Sequence, residues 1–424
     1  MTLLVESSDV LPLVDVEVAF PVGSLMDPTG REGLLQLSAH LARRGPRGMS
    51  QARFEDELAR LGARVSVEVS MRATRVRATV LRRNLEPLFS ALAKLLWTPA
   101  LRQSDFAKLK RQAEAALLSR LDDDQTLGAL QFRRALFGGH PYSRPIGGSP
   151  SSLASIGLEN VKRFYNRVLA PAPFVVGMAG DVERSEAERL VDTYFPSSKP
   201  FPKGGVKVEP TRLSRGRRVV IIDKPNRAQT QLFIGTLGVR TRDPNLFPLI
   251  VSNTAFGGTF SGPLMQQVRG VRGWSYGAYS RLLHSRQRDA WYMWTAPAAE
   301  YSAECAALQL ELMERWVDGG ISAKELSFAK RYLVNSHCFD RDTPSKRLEA
   351  DIDVEVLGVP RRYVDAHDEL VSEVTRPKAV EATRARIRPH DLVMVVVASA
   401  PDVAPAFEAL PGVRSVEVVP YDQT

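Results

Sequence analysis

Two short apolar stretches, residues 174–179 (FVVGMA) and residues 392–398 (LVMVVVA), decide the fold predicted for this chain. Apolar runs of this length between turns are typical of buried strands. In both places a helical pattern precedes the run, and a turn with an aspartate and a second helical pattern follow it. The loop at residues 137–142 (FGGHPY) also has a counterpart at residues 357–363 (LGVPRRY). The second half therefore repeats the first, which predicts two homologous α+β domains of about 200 residues each.

The two repeats are joined by a segment without apolar periodicity. Residues 196–210 contain four prolines and two glycines with lysines between them, a composition typical of a semi-extended linker. The predicted organisation is an N-terminal domain at residues 1–198, a linker at residues 199–215 and a C-terminal domain at residues 216–424. Because hairpin patterns mix with long helical connections, each domain is predicted to be a mainly antiparallel β-sheet with helices on one face.

Composition excludes several classes of protein. The chain of 424 residues has a formal net charge of +9, but its arginine pairs are scattered among acidic residues, without the concentrated basic element of nucleic-acid-binding proteins. The sequence has no apolar run of about 18 residues, as a membrane span would need, and residues 1–11 lack the basic start of a signal peptide. Cys305 and Cys338 have neither metal-site nor disulfide-framework spacing. We therefore expect a cytoplasmic protein without nucleic-acid or membrane partners.

A predicted helix at residues 33–41 (GLLQLSAHL) follows the strand-like alternation of residues 13–20. Other short motifs accompany it in a fixed order. They are Val22-Gly23-Ser24, Gly33-Leu34, His40, His140-Pro141-Tyr142 and residues 175–181 in the first half, and residues 256–261 (FGGTFS), Val268-Arg269 and residues 272–276 (RGWSY) in the second. In this order and spacing the chain resembles, over nearly its whole length, the inverzincin metallopeptidases, the family of pitrilysin, insulinase and the mitochondrial processing peptidase. The resemblance implies two domains that face each other across a closed chamber for an unfolded peptide.

The resemblance also implies a zinc site, which this sequence does not complete. The family motif is H-x-x-E-H on one helix, in which two histidines bind zinc and the glutamate is the general base. The corresponding residues here are Gln36, Ala39 and His40. One imidazole remains, and a methyl group stands where the base would be.

The third zinc ligand is replaced as well. The resemblance places it on the helix predicted at residues 104–121, where Leu117 and Leu118 stand. Glu114, one turn earlier, is a conceivable substitute, but one imidazole and one carboxylate fall short of the three protein ligands of most catalytic zinc sites. His40 is therefore interpreted as an ordinary surface or half-buried histidine. No catalytic residue and no metal ligand is predicted in this chain.

The second half retains a pair of residues that, by the same resemblance, binds the peptide backbone near the scissile bond. Arg269 and Tyr276 match this pair. A guanidinium and a phenol both donate hydrogen bonds to a peptide carbonyl and stabilise a developing oxyanion. From residue types alone, a surface ion pair for Arg269 and a sheet-edge position for Tyr276 would be the simpler interpretation. Gly257-Gly258 upstream and Gly273 between the two, as the resemblance expects, favour the substrate-binding pair.

Some enzymes of the family that this chain resembles divide the work between a subunit with the zinc motif and a partner with the arginine and tyrosine. We predict the second kind: a non-catalytic, substrate-binding subunit of a heterodimeric zinc metallopeptidase that cleaves unfolded peptides. Alone it would be inactive, and zinc would be held by a homologous catalytic subunit with an intact H-x-x-E-H. The alternative is a stand-alone structural or peptide-binding protein descended from such a peptidase.

Overall fold

The computed structural model describes residues 2–197, 208–213 and 215–423. Of the predicted linker at residues 199–215, positions 199–207 and 214 lie outside these described residues. The strands are β1 (Thr2–Ser7), β2 (Leu13–Phe20), β3 (Arg64–Val69), β4 (Thr74–Leu81), β5 (Val175–Gly180), β6 (Arg217–Asp223), β7 (Gln231–Leu237), β8 (Val239–Arg240), β9 (Ala278–Ser285), β10 (Arg288–Thr295), β11 (Val393–Ala398) and β12 (Val413–Pro420).

The helices connect these strands and cover their faces. They are α1 (Leu34–Ala42), α2 (Gln51–Leu61), α3 (Leu85–Trp97), α4 (Gln103–Ser119), α5 (Asp124–Phe137), α6 (Pro150–Ala154), α7 (Leu158–Phe164), α8 (Arg184–Tyr194), α9 (Leu246–Phe256), α10 (Pro263–Met265), α11 (Ser302–Gly319), α12 (Ala323–His337), α13 (Pro344–Leu357), α14 (Arg361–Asp365), α15 (His367–Ser372), α16 (Arg376–Arg386) and α17 (Ala400–Glu408). In the described part of the chain, none of them combines the length and hydrophobicity needed to cross a lipid bilayer.

Short-range signals determine where several of these elements begin and end. Strand β2 coincides with the alternating residues 13–20. Helix α2 begins after Ser50, whose hydroxyl accepts a hydrogen bond from the Arg53 amide, and ends before Gly62 in the left-handed conformation. Asp123 caps α5, because its carboxylate accepts hydrogen bonds from two amides of the first turn. Each signal acts within about one helical turn of the chain.

The first of two compact units holds a mainly antiparallel sheet. The unit consists of Met1–Leu117, Arg144–Lys207 and Cys338–Val364. Within the described residues its strand order is β1-β5-β2-β4-β3, and only the β1–β5 pair is parallel. Val14, Val16 and Val18 of β2 point into the larger core, which they share with α1, α3 and α8. This half of the α+β prediction is confirmed.

Helix α13 covers the other face of the first sheet. Leu348 and Ile352 pack in a second apolar cluster with Val175 and Ala179 of β5. A Cβ at Gly177, inside the FVVGMA stretch, would lie 2.7 Å from Cδ1 of Ile352, so glycine lets the helix approach this closely. The sheet therefore has helices on both faces, where the sequence predicted one. The partner helix lies far along the chain, and strand periodicity alone cannot show it.

The second unit holds a larger, mixed sheet. It consists of Leu118–Ser143, Val208–His337 and Asp365–Thr424. Within the described residues the strand order is β12-β6-β11-β7-β10-β9-β8. The pairs of β6 with β11, β6 with β12 and β8 with β9 are parallel, and the other three pairs are antiparallel. The α+β class holds for this unit too, but parallel pairs are as frequent as antiparallel ones.

Helices α5 and α13 are exchanged between the two sequence halves. Helix α5 comes before the loop at residues 137–142 and packs on β7 and β11 of the second sheet, where Phe132 and Phe233 stack at 6.1 Å. Helix α13 comes before the counterpart loop at residues 357–363 and packs on β5 of the first sheet. The predicted domains 1–198 and 216–424 are continuous in sequence, whereas each compact unit includes a helical segment from the other half.

Candidate functional site

Helix α1 carries the residues at the zinc-motif positions, and a buried aspartate fixes its start. The carboxylate of Asp27 accepts hydrogen bonds from the amides of Gly33 (2.9 Å) and Leu35 (2.8 Å). Gly33 has φ of 93°, a conformation that favours glycine. The chain thus turns sharply from the loop into α1, whose first-turn amides would otherwise lack acceptors.

The side chains of Gln36, Ala39 and His40 do not form a zinc site. Ala39 is buried and lines a small apolar cavity together with Phe20 and Leu95. The pKa of His40 is lowered, first by burial and then by the charges of Arg44 and Arg43. The neighbouring charges of Arg43 and Arg44 disfavour a metal ion at His40. Ala39, at the position of the base, has no group that could take up a proton.

The helix that should supply a third ligand does not complete the site. On α4, Leu117 packs against the first unit's core, while Glu114 and Leu118 are exposed. Among the described residues, His40 belongs to no group of three possible ligand side chains within reach of one ion. The donor set at α1 therefore does not fit the zinc that the family resemblance implies, and we derive no catalytic step there.

We expect the Asp27 cap to make stability depend on pH. Burial raises the pKa of Asp27 from 3.8 to about 7, and this effect outweighs the hydrogen bonds from Leu35 and Gly33. Because the pKa of Asp27 is higher in the folded chain than in the unfolded chain, protonation of Asp27 favours folding. This contribution to the free energy of unfolding is complete below about pH 4, decreases as the pH rises to about 7, and amounts to up to about 4 kcal/mol. In urea titrations of Asp27→Asn, the unfolding free energy should vary less between these pH values. Asp56→Asn on the exposed side of α2 is the control, and an unchanged pH slope in Asp27→Asn would refute the expectation.

The structure brings Arg269 and Tyr276 together on the surface of the second unit. Cζ of Arg269 lies 4.4 Å from the ring centroid of Tyr276 and 4.9 Å from that of Phe260. The two rings are exposed, Tyr276 by 83% and Phe260 by 63%. Within the described residues Arg269 has no carboxylate partner and the Tyr276 hydroxyl has no hydrogen-bond partner, so the predicted alternative of a surface ion pair is not observed. Tyr276 is thus exposed, and Arg269 is half-buried.

Backbone hydrogen bonds hold this pair in place. Arg269 lies in the helical segment Gln266–Val271. Gly273, with φ of 65°, closes the segment, and its amide donates to the Arg269 carbonyl at 3.1 Å. Buried Ser275 accepts from the Ala296 amide and donates to the carbonyl of Gly277. Tyr276 is therefore fixed by its neighbours on both sides while its own ring remains in solvent.

A second arginine extends the aromatic surface. Cζ of Arg272 lies 5.1 Å from the Trp274 ring, which stacks on Tyr301 at 6.0 Å. Phe260, Trp274 and Tyr301 are not among the residues that the sequence predicts as functional. Phe260 and Trp274 lie inside the motifs FGGTFS and RGWSY, so their position in the motif was a usable signal, whereas Tyr301 had none. The Arg269 guanidinium thus lies beside a series of aromatic rings and has no carboxylate partner among the described residues.

Comparison with known families divides the chain into two parts. Residues 2–148 match the family described as insulinase (peptidase family M16), and residues 155–333 match the family described as the peptidase M16 inactive domain. The first match includes α1, and the second includes the segment with Arg269 and Tyr276. Both belong to one peptidase family, as the sequence resemblance predicted.

Individual proteins show the same similarity. A Helicobacter pylori protein named "Non-peptidase homolog YmxG" is 21% identical over 93% of this chain and 91% of its own length. A Mycobacterium tuberculosis protein named as an uncharacterized zinc protease is 29% identical over 54% of this chain and 52% of its own length. The crystal structure of a peptidase M16 inactive domain from Pseudomonas fluorescens superposes with a TM-score of 0.83, 22% identity and coverage of 99% of this chain and 96% of that one. At that identity, the structural match concerns the fold.

Proposed function

Because this chain belongs to the M16 (insulinase) family of peptidases, we propose that it is the non-catalytic, substrate-binding subunit of a heterodimeric zinc metallopeptidase. The partner is a homologue with an intact H-x-x-E-H motif, which supplies the zinc and the general base. The substrate is an unfolded peptide. A cytoplasmic location is part of the proposal and is supported by the two free cysteines, Cys305 and Cys338.

The observation that carries the proposal is the contrast between the two candidate sites. Gln36 and Ala39 cannot bind zinc or accept a proton, whereas Arg269 and Tyr276 lie in contact, and the donors of their side chains have no partner within the described residues. An arginine stacked on two exposed rings loses less conformational freedom when it binds a ligand. The chain thus offers substrate-binding donors without the residues that hydrolyse a peptide bond.

In the proposed complex, Arg269 and Tyr276 contact the peptide that the partner cleaves. The guanidinium fork and the phenol both donate, so they bind backbone carbonyls, which every peptide offers regardless of sequence. Donors directed at the scissile carbonyl stabilise the negative charge that develops on its oxygen. The surrounding rings of Phe260, Trp274 and Tyr301 give apolar contact area to the substrate's side chains.

We expect the purified chain alone to cleave an unfolded fluorogenic peptide no faster than buffer, with or without added zinc. Mixed with the homologue that carries H-x-x-E-H, it should form a complex whose peptidase rate is at least about 10-fold above that of the homologue alone. A chelator should abolish that rate. Rates of each protein alone are the controls, and zinc-dependent cleavage by this chain alone would refute the proposal.

A second candidate function is a stand-alone structural or peptide-binding protein. It is favoured by the name of the Helicobacter pylori relative, a non-peptidase homologue that matches nearly the whole chain. In this case the chain would bind unfolded peptide without a partner, and no homologue with an intact H-x-x-E-H would copurify with it. Affinity purification from the native host, followed by peptide-binding titration, separates the two functions.

A further inference from the structure

A cluster of two histidines and an aspartate lies in the second unit. This unit also holds Arg269, but the cluster lies on different helices. His337 ends α12, and His367 and Asp368 begin α15. Nδ1 of His337 lies 2.8 Å from Oδ1 of Asp368, and Nδ1 of His367 lies 3.0 Å from the same oxygen. The two imidazole rings are 3.9 Å apart between centroids. Among the described residues, this is the one group of three His, Cys, Asp or Glu side chains close enough to share a metal ion.

We propose that His337, His367 and Asp368 form a binding site for a divalent transition metal, with zinc as the preferred ion. Two imidazoles and a carboxylate are a ligand set that zinc accepts, and imidazole also suits nickel and copper. Ligands about 2.1 Å from an ion are about 3.0 Å apart at a right angle and about 3.4 Å apart in a tetrahedron. The observed nitrogen–oxygen distances of 2.8 and 3.0 Å are near these values, so small side-chain movements complete the site.

Metal binding changes which ring nitrogen of each histidine carries the proton. In the metal-free cluster each neutral ring donates its Nδ1 proton to the shared carboxylate oxygen. When the metal binds through both Nδ1 atoms, each ring carries its proton on Nε2 instead, and the carboxylate binds the ion as an anion. The ion replaces the two hydrogen bonds by three metal–ligand bonds, and water fills the remaining positions.

The three side chains are accessible to a metal ion from solvent and are held in place by packing. The side chains of His337 and His367 are 18% and 21% exposed, and that of Asp368 is 53% exposed. Solvent therefore reaches the cluster, while packing limits the movement of the rings. The edge-to-face contact between Phe247 and His367, at 5.9 Å, holds one imidazole from the side of α9. A bound ion would fix the end of α12 to the start of α15.

The proposed site is independent of the proposed peptidase role. It lies on α12 and α15, and neither α1 nor the segment with Arg269 contributes a ligand to it. Metal content and peptidase activity are therefore separate measurements. Its signal is absent from the sequence, because His337 and His367 are distant in the chain and match no ligand spacing.

The test uses the untagged full chain, freed of metal with a chelator and titrated with zinc chloride by calorimetry. We expect one zinc ion per chain. His337→Ala and His367→Ala should each weaken binding by at least about 10-fold, since loss of even an outer-sphere partner costs about 10- to 100-fold. His390→Ala, at an exposed histidine elsewhere in the same unit, is the matched control and should bind as the unchanged chain does.

Two outcomes would overturn the proposal. One is the absence of zinc, nickel and copper binding by the unchanged chain at micromolar concentrations. The other is zinc binding that survives the change of both His337 and His367 but is lost in His40→Ala, which would place the ion at α1. Asp368→Asn retains the side-chain shape and a hydrogen-bonding group, so weaker metal binding by this variant at unchanged circular dichroism separates ligand loss from unfolding.

Discussion

Replacing Arg269 by alanine in the reconstituted complex is expected to lower kcat/KM for an unfolded peptide by about 100-fold. The guanidinium contacts the rings of Tyr276 and Phe260 and, within the described residues, has no carboxylate partner. Its donors are therefore available to the substrate carbonyl, and removal of one such donor typically costs about 10²- to 10³-fold in kcat. If the donors act on the developing oxyanion, the loss should appear in kcat. If they only bind the ground state, KM should rise while kcat stays the same.

Three further variants make the result specific. Arg272→Ala is the matched control, because Arg272 is an exposed arginine directly after the same segment and stacks on a different ring, that of Trp274. Its effect should be below about 2-fold. Tyr276→Phe retains the ring contact and removes the hydroxyl, so an intermediate loss of about 10-fold is expected. Arg269→Lys should not restore activity, since lysine lacks the planar fork. Equal losses in Arg269→Ala and Arg272→Ala would show that positive charge, not the Arg269 geometry, matters.

The fold could be predicted from the sequence where one element carries its own signal. Strands β2 and β5 and helix α1 lie within one residue of the predicted ranges 13–20, 174–179 and 33–41, because the periodicity that marks them is local. Strands β1, β9 and β12 were not predicted. The exposed residues of β12 give it little apolar alternation, and β9 mixes buried and exposed residues irregularly. The exchange of α5 and α13 was out of reach, because a helical pattern does not state which sheet it packs on.

The candidate sites, too, could be predicted where the signal is local in sequence and not where it depends on long-range packing. A motif that lies on one helix, as at Gln36, Ala39 and His40, can be compared position by position from sequence, and so can Arg269 and Tyr276, seven positions apart. The sequence did not show that Arg269 also contacts Phe260, because Phe260 lies in the loop before α10, whose path no local pattern predicts. The cluster of His337, His367 and Asp368 depends on the packing of α12 against α15, which no local pattern encodes.

Replacing Glu17 by alanine is expected to lower the free energy of unfolding of the first unit by about 3 kcal/mol. Glu17 is 7% exposed and accepts hydrogen bonds from Arg75 at 3.0 Å and from Arg77 at 2.8 Å. Arg75 is also buried and pairs in addition with Asp353 of α13. Loss of Glu17 leaves a buried guanidinium with one fewer carboxylate, and its two remaining partners, Asp353 and Glu349, are more exposed. The loss of one partner from a buried pair typically costs about 3–5 kcal/mol.

Arg77, the second arginine that contacts Glu17, provides a matched control for this buried network. Glu68 pairs with Arg77 at 3.0 Å from the solvent side and is 61% exposed, so Glu68→Ala should cost less than about 1 kcal/mol. Hydrogen exchange in urea resolves the two units, and Glu17→Ala should speed exchange in β2, β4 and α13 while β7 and β11 remain as protected as before. Because α13 comes from the other half of the sequence, faster exchange there would show that this ion network attaches the exchanged helix to its sheet. Equal effects of the two glutamates would mean that the buried network contributes no more than a surface pair.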